Sequence, residues 1–192
     1  MGQRSQIFVR YDEDGKKKMV ARYYQWNYGE RMISRARYGI AWIKSIYKYP
    51  DEIGYKLYRI LDTNFDMGDC TISSNLLKEY IEENWLYYPL NDFMFNQQGN
   101  NNGKLLIDIF PDGTIKYAFL DCDNEKVMSA AEYMDWDMGE EWTTPTEYMS
   151  QEVIDTCKEN IEDIDKMAVQ MIEDEVREFM EFDYSYLSAE VE

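Results

Sequence analysis

The sequence predicts an α+β protein in which two β-hairpins form one antiparallel sheet packed against helices, including a long C-terminal helix. Three observations support this class. Turn residues follow an apolar run near the N-terminus, Pro111-Asp112-Gly113 separates two further apolar runs, and apolar residues recur at helical spacing near both ends of the chain. No linker or internal repeat divides the sequence, so residues 1–192 are expected to form a single domain.

The first hairpin is predicted from two apolar, β-branched and aromatic segments. Ile7–Tyr11 and Met19–Trp26 are strand-like, and the segment 12–15 between them ends in Gly15. A glycine adopts positive φ without a steric penalty, which is what a tight hairpin turn needs.

A helix is predicted directly after this hairpin. Asn27 followed three residues later by Glu30 has the spacing of a capping box, and Pro50 marks the end of the helix, which is expected to stop near Tyr47. Its apolar stripe has 3-4-3-4 spacing and consists of Ile33, Ala36, Ile40, Ile43 and Tyr47.

The middle of the chain contains weaker signals and one strong one. A short helix is expected at 55–61, and Ser73 or Ser74 could begin another that runs to about residue 84. The polar segment 96–103 predicts a loop. The Pro-Asp-Gly turn then joins strands predicted at 105–110 and 114–120.

Two helix starts are predicted in the last third of the chain. Ser129 and Glu132 form a second capping-box pattern, and Thr144-Pro145 followed by Glu147 favours a helix that continues to about Phe182. The apolar stripe of this long helix has 3-4-3-4-3 spacing and contains Ile154, Cys157, Ile161, Ile164, Ala168 and Met171. We expect the helices at 28–48 and 145–180 to cover the same face of the sheet.

Charge is distributed very unevenly along the sequence. The chain has 20 basic and 38 acidic residues, a net charge of −18. Residues 1–60 contribute 13 − 6 = +7 and residues 61–192 contribute 7 − 32 = −25. Two interpretations are open: the basic part is folded against the acidic part, or the surplus of carboxylates forms an acidic face that attracts a basic protein.

Several chemistries are excluded or disfavoured by composition. The chain has no histidine, which removes Ser-His-Asp and Cys-His catalysis and histidine-bound metals. Cys70, Cys122 and Cys157 are isolated in the sequence, a pattern typical of reduced thiols in a cytoplasmic protein. We therefore expect neither an enzyme nor a bound cofactor.

One segment has the spacing of a calcium-binding loop. Asp121, Asp123, Glu125 and Glu132 stand at its positions 1, 3, 5 and 12. Position 6 is Lys126 where such a loop needs glycine, so a polar turn followed by the Ser129 cap is the favoured interpretation. Binding of a divalent cation is kept as an alternative function.

The candidate partner-binding surface is acidic. Its carboxylates lie off the apolar stripe of the long helix or in the segment before it: Asp135, Asp137, Glu140, Glu141, Glu152, Asp155, Glu159, Glu162, Asp163 and Asp165. Such a surface would bind a protein that is basic because it binds nucleic acid, whereas direct binding of nucleic acid or of a membrane is not expected.

Parts of the chain resemble a known group of proteins. The opening 2–11, the segment 21–32, and the stretches 102–105 and 112–118 are similar to a family of small proteins on phages and mobile elements of gut Firmicutes, some of which act as type II anti-CRISPR proteins. The resemblance implies an inhibitor of the RNA-guided nuclease, and it carries no catalytic motif. An acidic antitoxin-like partner of a basic protein is a further alternative.

Overall fold

The computed structural model describes residues 2–47, 52–63, 71–82 and 87–189. Its α+β architecture confirms the predicted fold class. A central sheet has the strand order β3 (Thr71–Asn75), β2 (Lys16–Gln25), β1 (Arg4–Glu13), β4 (Lys104–Ile109), β5 (Ile115–Leu120) and β6 (Val127–Met128), and a further strand, β7 (Val169–Gln170), pairs with β5. Helices cover both faces of the sheet, and two separate groups of buried apolar residues fill the spaces between sheet and helices.

The first hairpin consists of β1 (Arg4–Glu13) and β2 (Lys16–Gln25). The two residues between the strands, Asp14 and Gly15, have φ values of 52° and 74°. Positive φ at both positions characterises the tight turns that match the twist of hairpin strands. The hairpin is confirmed, with longer strands than the sequence predicted.

The second hairpin consists of β4 (Lys104–Ile109) and β5 (Ile115–Leu120) and contains the predicted Pro-Asp-Gly turn. The hairpins share one sheet, but their junction differs from the prediction because β1 and β4 pair in parallel, with Phe8 opposite Leu106. The sheet is therefore mixed. Parallel neighbours require a long connection, which residues 26–103 supply with helices and with β3 (Thr71–Asn75).

One face of the sheet is covered by α1 (Gly29–Ile46), α2 (Ile53–Leu61), α5 (Ala130–Met138) and α6 (Gln151–Met167). The first four residues of the predicted α1 stripe are fully buried in this layer. The predicted short helix is α2. The Ser129–Glu132 capping box at the start of α5 is confirmed, since Glu132 N donates to Ser129 Oγ and Ser129 N donates to Glu132 Oε2.

The other face is covered by α3 (Leu76–Glu82), α4 (Leu90–Asn96) and α7 (Glu173–Glu181). Asn75, rather than Ser73 or Ser74, begins α3, because its Oδ1 accepts hydrogen bonds from the backbone of Leu77 and Lys78. The sequence did not predict α4.

The predicted helix at 145–180 is wrong in two ways. Thr146 closes a turn before the helix, accepting at Oγ1 from the amides of Tyr148 and Met149, so α6 begins only at Gln151 with Ser150 as its N-cap. It ends at Met167, where the chain becomes extended and β7 (Val169–Gln170) pairs with the edge of β5. The chain then crosses to the opposite face as α7, so the C-terminal helices cover both faces instead of one.

The predicted cap of α1 is also wrong. Asn27 is buried and serves the core, donating through Nδ2 to Ser5 Oγ and accepting at Oδ1 from Arg35 Nε. Tyr28 occupies the cap position without a side-chain bond. Cys70 and Pro50, which entered the sequence interpretation, lie outside the described residues. No helix in the described ranges is long and apolar enough to cross a bilayer.

Candidate acidic interaction site

The clearest candidate surface is a row of carboxylates on α6. Glu152, Asp155, Glu159 and Glu162 follow one another at 3-4-3 spacing, and all four are exposed. At 100° per residue this row lies opposite the apolar stripe of Ile154, Cys157, Ile161 and Ile164, which is buried. Burial of the stripe therefore turns the row directly toward solvent. We call these four residues the α6 row.

The α6 row is compensated at one end only. Lys166 lies 3.4 Å from Glu162 and 3.8 Å from Asp163, in ion pairs that are largely exposed. Within the described part of the chain no lysine or arginine forms an ion pair with Glu152, Asp155 or Glu159. The carboxylates of the row without an ion pair therefore lie between Glu152 and Glu159, a stretch that also contains the exposed Lys158.

Two predicted partner-binding residues at the end of α6 have internal roles. Asp163 accepts from the guanidinium of Arg37 on α1, with 3.1 Å between Nη2 and Oδ2. Asp165 accepts from the hydroxyl of Tyr117 at 2.6 Å. Burial, followed by this hydrogen bond, raises the pKa of Tyr117, so the tyrosine stays a donor. These two carboxylates connect α6 to the body of the protein.

The segment before α6 contains the other predicted carboxylates. Some of them are exposed and unengaged, and others form hydrogen bonds within the protein. Glu140 and Glu141 are exposed on a 3-10 helix, Gly139–Trp142. Asp135 is exposed too, but its Oδ1 accepts from the indole Nε1 of Trp142 at 2.9 Å. Glu140 and Glu141 are therefore the two members of this segment with free carboxylates facing solvent.

Asp137 is a structural residue. It is half-buried and accepts from the backbone amide of Gly29, from Asn102 Nδ2 and from the hydroxyl of Tyr133, at 2.7, 2.7 and 3.2 Å. Burial raises the pKa of Asp137, although these three donors oppose the shift. Asp137 thus fixes α5 to the start of α1 and is not available to a partner.

The basic N-terminal part is used mainly inside the fold. The guanidinium of Arg10 is buried and pairs with Asp108 and Glu178, each at 2.6 Å. Arg22 pairs with Asp62, and Arg37 with Asp163 as described above. Part of the basic charge is therefore neutralised by the acidic part, as the first interpretation expected, while the α6 row keeps its surplus.

The structure does not assemble the calcium-loop residues into a site. Asp121 is buried, and its Oδ1 accepts from the amides of Glu125 and Lys126, closing a turn after β5. Glu132 is held in its capping box. Across the described residues no group of three or more His, Cys, Asp or Glu side chains could hold a metal ion. The loop is the polar turn that the missing glycine favoured.

The described thiols are not activated. Burial raises the pKa of the Cys157 thiol to about 12, and desolvation together with Asp123 raises the pKa of Cys122. A nucleophilic cysteine needs the opposite shift.

One feature of the surface was missed by sequence reasoning. A cleft lies beside the N-terminus of α1 and is lined by Tyr28, Glu30, Glu141 and Tyr148, among others. The sequence pattern places Glu30 in a capping box and predicts no role for Tyr28. The only local signal was the pair of aromatic residues 26 and 28 directly before an acidic helix start.

Comparison of the chain with protein-family models, with curated protein sequences and with solved structures gives no match. The site is therefore interpreted from its geometry and electrostatics.

Proposed function

We propose that the protein binds a basic, nucleic-acid-binding protein through the α6 row and the adjoining Glu140 and Glu141, and thereby inhibits that protein. The observation that carries the proposal is the exposure of three successive carboxylates on α6 that form no ion pair with the described lysine and arginine residues. A rigid helix holds them, so no conformational ordering is needed before a partner binds.

The α6 row resembles one strand of a nucleic acid in its charge spacing. With a rise of about 1.5 Å per residue, its carboxylates are separated by roughly 4.5–6 Å along the helix axis, compared with about 3.4 Å per phosphate along one DNA strand. A surface evolved to bind phosphates would meet a similar, less dense line of negative charge. This supports competition with nucleic acid as the mode of inhibition.

The specific partner that we propose is the RNA-guided nuclease of a type II CRISPR system. The sequence resemblance suggests this partner, and its chemistry fits the surface. Such nucleases hold the guide–target duplex in a positively charged channel and read the adjacent motif with arginine side chains. An acidic helix could occupy either surface in place of DNA.

The experiment is a binding measurement with a purified, guide-loaded type II nuclease and two charge-reversal variants. The first carries Glu152→Lys, Asp155→Lys and Glu159→Lys on the α6 row. The matched control carries Glu125→Lys, Glu173→Lys and Glu181→Lys, which are exposed beside α7 on the opposite face. Both variants have the same net charge, and each changes one residue in the first turn of a helix.

Reversal of the α6 row should weaken binding by at least about 100-fold, because several like charges would then face the basic surface. The control should change affinity far less. Raising the salt from low to physiological strength should slow association of the unmodified protein, since the Debye length falls to about 8 Å. Equal effects of the two variants, or association that does not respond to salt, would contradict the proposal.

A further inference from the structure

The cleft beside the N-terminus of α1 lies near the N-terminal end of α6. Its volume is about 360 Å³. Ligand sites in proteins commonly have volumes of about 300–1,000 Å³, so this cleft suits one side chain or a similarly small group. Tyr28 and Glu30 come from the start of α1, Asp137 and Met138 from the end of α5, and Tyr148 from the loop before α6.

The ionisable groups that line the cleft include three carboxylates and, among the described residues, no lysine or arginine. Arg31 is the nearest cation in sequence, but it lies against the ring of Tyr28 and donates to the carbonyl of Trp26. The cleft is therefore negative although its walls are partly desolvated. A cation is the ligand that would relieve this arrangement.

Glu30 is the group most in need of a counter-charge. It is half-buried, and in the described structure the only donor to its carboxylate is its own backbone amide. Burial raises the pKa of Glu30, its own backbone amide and the charge of Arg31 oppose the shift, and the neighbouring Asp137 adds to it. Asp137 is satisfied by three donors, whereas Glu30 retains acceptor capacity toward the cleft.

The remaining walls are aromatic and thioether side chains together with the amides of Gln3 and Asn102. Tyr148 is 86% exposed, which is the largest exposure among the large hydrophobic residues of the described structure. With Tyr28, Met138 and Met149 it lines the same cleft as the carboxylates. Tyrosine rings attract cations through their π faces, and a planar guanidinium can also stack on them.

We propose that this cleft receives an arginine side chain of the basic partner, with the guanidinium between the tyrosine rings and hydrogen-bonded to Glu30 and Glu141. The inference rests on the proposed function and specifies how that partner is recognised. Arginine fits better than lysine because its fork of N–H donors can engage a carboxylate with two bonds while its flat face contacts a ring. The α6 row would then supply long-range attraction and the cleft a specific anchor.

The test uses a minimal probe that cannot cover the α6 row. The peptide acetyl-Gly-Gly-Arg-Gly-Gly-amide is titrated into the full-length ¹⁵N-labelled protein, next to versions with lysine or with citrulline, the neutral analogue of arginine. The arginine peptide should shift the amide signals of Tyr28, Glu30, Glu141 and Tyr148. The lysine peptide should bind more weakly, and citrulline should have no measurable effect.

Two substitutions with matched controls locate the contact. Tyr148→Ala and Glu141→Gln should each weaken binding of the arginine peptide by about threefold or more, as expected for an exposed cation–π contact or a charged hydrogen bond. Tyr87→Ala removes another exposed tyrosine, and Glu173→Gln removes an exposed carboxylate that lies outside both the cleft and the α6 row. Both controls should leave peptide binding unchanged.

The outcomes separate this inference from the proposed function. If reversal of the α6 row abolishes partner binding, but the arginine peptide does not bind or gives shifts equal to those of lysine along the row, the cleft proposal is overturned and the proposed function stands. If the peptide binds in the cleft and the nuclease does not respond to reversal of the row, the arginine site stands and the proposed function fails.

Discussion

Two regions of the protein concentrate charge, and they use it in opposite ways. Around Arg10, opposite charges are buried against the sheet. Asp108 accepts two hydrogen bonds from the guanidinium, and the guanidinium carbon of Arg10 lies 4.6 Å from the centre of the Phe179 ring. Along the α6 row, like charges are exposed to solvent, and of the four carboxylates Glu162 forms an ion pair in the described structure. Burial, rather than the number of charges, therefore decides whether an ionic group supports the fold or is available for binding.

The largest effect is expected from breaking the buried cluster. Arg10→Met removes the partner of Asp108, and an uncompensated buried carboxylate should lower the free energy of unfolding by about 3–5 kcal/mol. Hydrogen bonds from Arg10 to Asp108 and Glu178 outweigh the effect of burial and raise the pKa of Arg10, so the arginine stays charged at any accessible pH. Urea unfolding at neutral pH measures the loss.

Two controls belong to this measurement. Arg177→Met removes an exposed ion pair with Asp174 and should change stability by no more than about 0.5 kcal/mol. The double variant Arg10→Met with Asp108→Leu removes both charges and should recover part of the loss. A loss below about 1 kcal/mol for Arg10→Met alone would show that the cluster tolerates an unpaired carboxylate, and the contrast with the α6 row would then disappear.

A smaller effect should come from the cap that begins α6. Ser150 Oγ accepts from the amide of Val153, so Ser150→Ala should lower the free energy of unfolding by about 1 kcal/mol. Thr144→Ala should leave stability nearly unchanged, because Thr144 lies before the Thr146 turn and does not cap the helix. The reverse order in thermal or urea unfolding would place the start of α6 where the sequence alone suggested it.

Neutralising part of the α6 row should affect stability even less. In the double variant Asp155→Asn with Glu159→Gln, each change should alter the free energy of unfolding by less than about 0.5 kcal/mol, because exposed charges contribute little. Glu152 stays unchanged since an acidic residue in the first turn favours the helix. Destabilisation by more than about 2 kcal/mol would mean that the row supports the fold and would remove its contrast with Arg10.

Glu30 is intermediate between the two regions, because its carboxylate is half-buried and forms no ion pair among the described residues. Its pKa is raised, so the folded state binds this proton more tightly than the unfolded chain does. The unfavourable contribution is therefore absent below the unfolded pKa of about 4.3 and appears as the pH rises through the raised value. Glu30→Gln should be more stable than the unmodified protein at pH 7, and this gain should vanish near pH 4 in urea unfolding. A gain that persists at pH 4 would contradict the assignment.

Features that depend on neighbouring residues could be predicted from the sequence. Asp14-Gly15 and Pro111-Asp112-Gly113 determine tight turns by their backbone preferences, and the stripe beginning at Ile33 identifies a helix by its period. The parallel pairing of β1 with β4 could not be predicted, since it joins segments about a hundred residues apart. The end of α6 was equally hidden, because apolar spacing continues through Ala168 and Met171 although the chain has become a strand at the edge of β5.

The same distinction applies to the candidate site. Exposure of the α6 row follows from helical period alone, because residues opposite a buried stripe must face solvent. The internal roles of Asp137, Asp163 and Asp165 depend on Gly29, Arg37 and Tyr117, which come from distant parts of the chain. The cleft combines residues from widely separated parts of the chain, from Gln3 to Met149, so no local pattern could have revealed it.

The parallel contact at the centre of the sheet also determines the order in which the protein can be completed during synthesis. β1 is translated before β4, so its parallel neighbour is not available until the ribosome has translated residues 104–108. Glu178, an ion-pair partner of Arg10, is translated later still. The N-terminal hairpin therefore spends most of translation with one edge unpaired and its apolar residues uncovered. Such long-range pairing slows folding, and an unpaired strand edge favours aggregation until its neighbour is in place.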